Sequence, residues 1–138
     1  MKYSFEIPER AIGKQRPRYS AKTGRMYTPT ATRSFEDKVR WAFTQKYNIA
    51  TELSEKAFKA KIIAVFEPPK SISKKKKEEL LQTKAGYTKK SDIDNISKIV
   101  LDALNGLTYK DDAQVVELEA RKEYGEQNII YVYLEEIE

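Results

Sequence analysis

Residues Lys89 to Glu119 read KKSDIDNISKIVLDALNGLTYKDDAQVVELE. Ile96, Ile99, Val100, Ala103 and Leu104 recur at i, i+3, i+4, i+7 and i+8, the spacing of one apolar helical face, and Asn105-Gly106 supplies a left-handed cap behind it. Past the glycine the period drops to two. Val116, Leu118 and Ala120 mark the apolar face of a strand, and Ile130, Val132 and Leu134 repeat the pattern after a turn near Tyr124-Gly125. The spacing predicts an antiparallel pair. Two acid pairs flank the helix, Asp92 with Asp94 before it and Asp111 with Asp112 after it.

Upstream, Lys2 to Ile7 alternates with Tyr3, Phe5 and Ile7 on one face and reads as a first strand. Ala57 to Phe66 alternates more plainly. Its second face carries Ile63 and Val65, as an inner strand would, and Pro68-Pro69 ends it. Between these strands, Thr30 to Asn48 carries the helical stripe Phe35, Val39, Ala42 and Phe43, with Ser34 and Asp37 spaced as a capping box. Trp41 lies off the centre of that stripe and reads as packing rather than ligand binding, or as a subunit contact. Ser71 to Thr83 reads as a short helix led by Lys74, Lys75, Lys76 and Lys77; lysines there oppose the helix dipole, so they serve another purpose or precede the helix. No linker divides the 138 residues. The expectation is one α+β domain over residues 1–138, a mixed sheet with about three helices packed on it.

Charge is divided unevenly. Residues 1–90 carry 22 Lys and Arg against 9 Asp and Glu, whereas residues 91–138 carry 4 against 12, giving local nets of +13 and −8 inside an overall +5. A solvated surface of mixed sign satisfies these numbers, as does a basic platform for phosphates with an acidic centre set into it. The segment from Gly13 to Arg40 bears on the choice without deciding it. Lys14, Arg16, Arg18, Lys22 and Arg25 are interleaved with Tyr19 and Tyr27, Pro17 and Pro29 exclude a continuous helix, and Thr23-Gly24 suggests a tight turn. Such a basic flap suits phosphate contacts with base stacking, unless its tyrosines simply pack on the core.

What the chain lacks narrows its chemistry. Without cysteine there is no disulfide, thiol nucleophile or zinc thiolate, and without histidine there is no imidazole base or ligand. Oxygen-only ligation favours Mg2+, or Mn2+, over zinc and copper. The N-terminus lacks the apolar block of a signal peptide and no apolar run approaches a membrane span, so a soluble, cytoplasmic protein with no membrane partner is expected.

Each acid pair also has an ordinary explanation. Asp94 stands where the helix begins and suits a cap, Asp111-Asp112 suits a turn, and Asp94, Lys98 and Asp102, four apart, suit a ladder of surface salt bridges. Alternatively, the two pairs form a divalent-cation site beside which Lys98 positions a phosphate. Metal-bound water has a lowered pKa, so phosphodiester hydrolysis there needs no histidine.

The run Asp92-Ile-Asp94-Asn95-Ile-Ser-Lys98, then Asp102-Ala-Leu-Asn-Gly, then Asp111-Asp112-Ala-Gln114-Val resembles the RusA-type crossover junction endodeoxyribonucleases common in prophages. GKQRPR, a later Tyr-Thr-Pro and Pro-Pro-Lys with its lysine run are similar to the phage-type branch. The resemblance implies a RusA-like fold and a homodimeric, Mg2+-dependent nuclease that resolves four-way Holliday junctions by paired symmetric nicks in recombination and repair. It places metal-binding and catalytic aspartates at Asp92, Asp94 and Asp112 and an essential lysine at Lys98. Asp111 and Asp102 are left as supporting acids beside the ion. Lys14, Arg16, Arg18, Lys74, Lys75, Lys76, Lys77, Lys89 and Lys90 are the expected DNA contacts. Ser91 departs from the pattern, because the family often has a basic residue before the first aspartate. The competing expectation is a non-catalytic protein of the same fold that binds branched DNA or RNA.

Overall fold

A computed structural model describes residues 1–48 and 52–137. Strand β1 (Lys2–Ile7) is followed by a small ribbon, β2 (Arg18–Ser20) and β3 (Arg25–Tyr27), then helix α1 (Thr30–Lys46) and strand β4 (Ala57–Phe66). Helices α2 (Lys74–Thr83) and α3 (Ile93–Ala103) come next, then a 3-10 turn at Asp112–Gln114 and strands β5 (Val115–Tyr124) and β6 (Ile129–Ile137). The fold is α+β, as expected, with a mixed four-stranded sheet and three helices.

The sheet order is β1-β6-β4-β5, with β6 antiparallel to both neighbours and β5 parallel to β4. The expected β5–β6 hairpin is therefore absent, because β4 lies between the two strands. β4 earns the inner place by its composition: Phe58, Ala60, Ile62, Ala64 and Phe66 are buried on one face, and Val65 is buried on the other. The chain crosses the end of β4 at Gly125, whose N–H donates to the Phe66 carbonyl at 3.0 Å. A Cβ there would lie 2.2 Å from Val65 Cγ1, so the crossing requires glycine.

Strand β5 departs from the alternation read from sequence. Phe58 pairs with Val115 but Lys59 pairs with Glu117, so Val116 is an extra residue in a bulge. The apolar set Val116, Leu118, Ala120 is thereby split. Leu118 pairs with Ala60 and Ala120 with Ile62, while Val116 turns out and is 60% exposed. Leu118 is itself 49% exposed, since β5 is an edge strand.

The core joins Phe35, Val39 and Phe43 of α1 and Ile96, Ile99 and Val100 of α3 to Phe5, Ile7, Ile62, Ile130 and Val132 of the sheet. Both helical stripes face inward as their periodicity requires. Three local expectations change. The residue preceding α1 is Pro29, which has no side-chain cap, and Asp37 pairs with Arg40 at 3.1 Å instead of completing a box with Ser34. Trp41 is 61% exposed and contributes no core packing. α3 ends at Leu104 in right-handed geometry, and the left-handed residue, Gly106, falls in the turn beyond. In α2 the Ser73 hydroxyl accepts from the Lys76 N–H at 3.2 Å, so the four lysines form the first helical turn despite the dipole. Among the described residues no helix is long and apolar enough to cross a membrane.

Candidate metal and nucleic-acid site

Helix α3 sets the frame. Asp92 is its N-cap and Asp94 lies in its first turn, yet the Asp92 carboxylate makes no cap hydrogen bond, leaving the capping to its backbone carbonyl, which accepts from the Ile96 N–H at 3.0 Å. Asp92, Asp94 and Lys98 are exposed, and among the described residues none of their side chains has a hydrogen-bonding or ion-pair partner. The surface ladder Asp94–Lys98–Asp102 does not form. Two carboxylates at a helix N-terminus are electrostatically favoured there without needing a cation from the chain.

Asp102, nearer the other end of α3, is paired elsewhere. Lys14 Nζ lies 3.1 Å from Asp102 Oδ2 and 3.0 Å from Glu36 Oε2. Burial works against the Lys14 charge, but the hydrogen bonds and negative charge of Glu36 and Asp102 outweigh it and hold the ammonium above its ordinary pKa. Sequence reasoning assigned Lys14 to DNA; the fold places its ammonium between two carboxylates, with the side chain only 20% exposed. The backbone around it is equally engaged. The Gly13 N–H donates to Ser91 Oγ and the Lys14 N–H to the Asn95 carbonyl, both at 3.1 Å. A Cβ at Gly13 would lie 3.1 Å from Asn95 Cβ, so a glycine lets this segment lie against α3. Ser91, the departure from the family pattern, thus fastens the start of the basic flap.

The second acid pair divides its labour. The Asp111 side chain accepts from the Ala113 N–H at 3.2 Å, and Gln114 Oε1 accepts from the Asp111 N–H at 3.1 Å, a reciprocal capping box. Gln114 Nε2 also donates to the carbonyls of Ser54 and Lys56, each at 2.9 Å, fixing the turn to the start of β4. Asp111 is thereby a cap and Asp112 the acid that the cap aims. Burial pushes the Asp112 carboxyl up to about 6, and a hydrogen-bonding contact with Asp102 and the charges of Asp102 and Asp111 add to it. Tyr109, fully buried, donates to the Leu101 carbonyl at 2.7 Å and links the end of α3 to this turn.

The fold therefore brings Asp112 to Asp102. Asp94 and Asp102 are eight residues apart on one helix, a rise of about 12 Å. Among the described residues no three His, Cys, Asp or Glu side chains are grouped closely enough to hold a metal ion. The donor chemistry nevertheless fits a hard divalent cation. Every candidate ligand is a carboxylate oxygen, and the crowded Asp102–Asp112 pair holds negative charge that a cation or a proton would relieve.

Of the expected DNA contacts, Arg16, Arg18, Lys74 to Lys77, Lys89 and Lys90 are exposed. Sequence reasoning missed Lys122 of β5, whose ammonium donates to the carbonyls of Lys89 and Ser91, both at 2.8 Å, holding the segment that leads into Asp92. A lysine at an inward-facing strand position, beside Ala120 and Tyr124 in the alternation, was the available signal.

A profile of the family described as endodeoxyribonuclease RusA matches residues 8–135. An uncharacterized protein of Bacillus subtilis (strain 168), YqaN, is 32% identical over 135 residues, covering 96% of this chain and 95% of its own. With the matched region spanning the flap, all three helices, both acid pairs, strands β4 and β5 and most of β6, the chain belongs to the RusA endodeoxyribonuclease family, whose members act on Holliday junctions and generally depend on a divalent metal.

Proposed function

We propose that this chain is a divalent-metal-dependent, structure-selective DNA endonuclease that resolves four-way junctions by paired symmetric nicks, acting in recombination and repair. The single domain, residues 1–138, works as a homodimer in the cytoplasm of a bacterial host, and a prophage setting suits it. Two-fold symmetry would present one acidic centre to each of two opposing strands, which is what symmetric nicking needs. Mg2+ is the proposed ion, with Mn2+ as the alternative. Asp92, Asp94 and Asp112 would hold it, and when bound it would supply an acidified water and charge neutralisation at the phosphate. Lys98 steadies the scissile phosphate, Asp111 caps the turn that aims Asp112, and Asp102 supports Asp112 from α3.

The observation that supports this reading best is the set of unpartnered charges on α3. Asp92, Asp94 and Lys98 are exposed and free of ion pairs among the described residues, although the chain has 26 basic and 21 acidic residues with which to pair them. Arg16, Arg18, Lys74 to Lys77, Lys89 and Lys90 supply exposed basic surface for the DNA backbone. The test is incubation with a synthetic four-way junction and a matched duplex, with Mg2+ or with EDTA. Symmetric, metal-dependent nicking of the junction alone supports the proposal. Binding without nicking at any Mg2+ or Mn2+ concentration refutes it in favour of a non-catalytic junction-binding protein. On that side stand the absence of a three-carboxylate group among the described residues and the contact of Asp112 with Asp102, about 12 Å along α3 from Asp94.

A further inference from the structure

The β2–β3 ribbon carries side chains that neither the core nor the acidic centre uses. Arg18 pairs with Tyr27, Tyr19 with Met26 and Ser20 with Arg25. Tyr19 and Met26 are therefore cross-strand neighbours on one face, with Arg18, Arg25 and Tyr27 on the other. Tyr19 is 65% exposed, Met26 63% and Tyr27 46%. The turn is well formed, with the Gly24 N–H donating to the Ser20 carbonyl at 2.8 Å and Gly24 at φ +67. A three-pair ribbon that buries none of its large apolar side chains is marginal by itself, so the fold maintains a surface whose apolar groups have no use inside the chain.

Charge identifies the occupant. From Arg10 to Ser34 there are seven basic residues and no acidic one, which selects a polyanion. Phosphates account for the arginines and lysines, but not for a tyrosine and a methionine set side by side. Those offer a π face and a polarizable thioether, which gain from contact with the flat face of a base. In a continuous duplex the base faces are stacked on one another and only their edges are reachable. At a branch point the stack is interrupted and faces become available.

The ribbon is also tied to the acidic centre. Gly13 and Lys14 are hydrogen-bonded to Ser91 and Asn95, and Lys14 to Asp102. Lys14 and Arg18 are four residues apart, at most about 14 Å even when fully extended. A branch held by the ribbon therefore stays close to α3.

We propose that the β2–β3 ribbon is the branch-sensing element of this protein, stacking Tyr19 and Met26 on base faces left unstacked at the crossover of a four-way DNA junction. This deepens the reading of the chain as a junction nuclease and rests on it. The test compares the wild type with Tyr19→Ser/Met26→Ser on a four-way junction and on a duplex arm of the same sequence, in EDTA, by fluorescence anisotropy. 2-aminopurine is placed either at the branch or in mid-arm. Both substitutions are at exposed positions and remove no charge, and circular dichroism checks the fold. The double variant should lose roughly five- to a hundredfold in junction affinity, the range for a lost base–aromatic stack. Duplex affinity and salt slope should be unchanged, and the fluorescence change at the branch should disappear. Tyr19→Phe should retain wild-type selectivity because it keeps the ring. Arg18→Ala/Arg25→Ala should instead weaken junction and duplex alike and reduce the salt slope by about two. Equal loss on junction and duplex would place the ribbon in a groove and overturn the proposal. So would an altered oligomeric mass, which would make the ribbon a subunit contact, or unchanged junction selectivity in the double variant. If the wild type itself shows no preference for junction over duplex, both this proposal and the nuclease reading fall; selectivity that survives in the variant removes this proposal alone.

Discussion

Lys14→Met separates the two roles that sequence and structure give the same lysine. As a phosphate contact, Lys14 would contribute about 0.9 to the slope of log K against log salt, and its loss would leave stability untouched. As the cation between Glu36 and Asp102, it would contribute nothing to the slope and a good deal to the fold. Removing one partner of a fully buried pair costs about 3–5 kcal/mol. Here the Lys14 and Asp102 side chains are 20% and 24% exposed, so water compensates in part and about 2 kcal/mol is the expected loss. At about 2.1 cal/mol/K per residue, a chain of 138 residues unfolds with an entropy near 0.3 kcal/mol/K, so Tm should fall by about 7 °C. Methionine keeps the length and apolar stem of lysine, which isolates the charge. The assays are thermal denaturation and junction titration between roughly 50 and 200 mM KCl in EDTA. Arg16→Ala serves as the control that should lower the slope by about one without moving Tm. A Lys14→Met protein that melts with the wild type and loses one unit of salt slope would refute the ion-pair argument and restore the phosphate contact.

Asp94→Asn should abolish nicking while junction binding persists or tightens, since a negative charge leaves the DNA-facing surface; a variant that keeps its circular dichroism but no longer binds would count against the assignment. Asp112 carries a pH signature. Its carboxyl, pushed up to about 6 by burial and by Asp102 and Asp111, takes up a proton more readily in the folded chain than in the unfolded one. The stabilisation from that proton is fully present below the unfolded pKa near 4 and is lost as pH rises through about 6. Asp112→Asn should therefore match the wild type in Tm near pH 4 and gain on it steadily toward pH 7, whereas a constant difference would show that the carboxylates do not crowd one another. Gly125→Ala forces a methyl group to within 2.2 Å of Val65 Cγ1 and should cost about 1–3 kcal/mol in chemical denaturation, with an unchanged midpoint excluding the close crossing.

The parts of this fold legible in sequence are those where one face carries most of the burial. The stripe of α3, the stripe of α1 and the alternation of β1 and β4 each reach the core as their periods require, because burial and period act together there. Strand β5 was misread for a reason period cannot express. A bulge at Val116 shifts the register by one residue, and the alternating set Val116, Leu118, Ala120 looks identical with or without it. Strand order was also closed to local reading. Tyr124-Gly125 marks a turn but does not say that β4 lies between its two arms; the buried Val65 on the second face of β4 was the clue, and Gly125 the residue that lets the chain cross there.

The site shows the same division with sharper consequences. Acid spacing picked out a stretch in which Asp92 and Asp111 stand at helix starts, because capping is local. Which acid does what depended on partners both beside it and far along the chain. Asp111 became a cap through Gln114, which in turn holds Ser54 and Lys56, and Asp102 became engaged through Lys14, whose other carboxylate is Glu36. These engagements leave Asp92, Asp94 and Lys98 as the charges of α3 without partners among the described residues. A folding chain with 26 cations available leaves carboxylates unpaired at small cost only where water or a ligand takes the cation's place. Pairing in one acid set and its lack in the other thus divide α3 into an engaged end and an end open to solvent. The Gly13–Lys14 segment touches both, so the flap that follows is fixed to the helix that carries the acids. If DNA held by the flap is what brings a phosphate to Asp92, Asp94 and Lys98, lengthening the four-residue tether between Lys14 and Arg18 with glycines should leave junction affinity nearly intact while cleavage falls steeply. Cleavage that survives a tether of twice that length would show that the flap and the acids act independently.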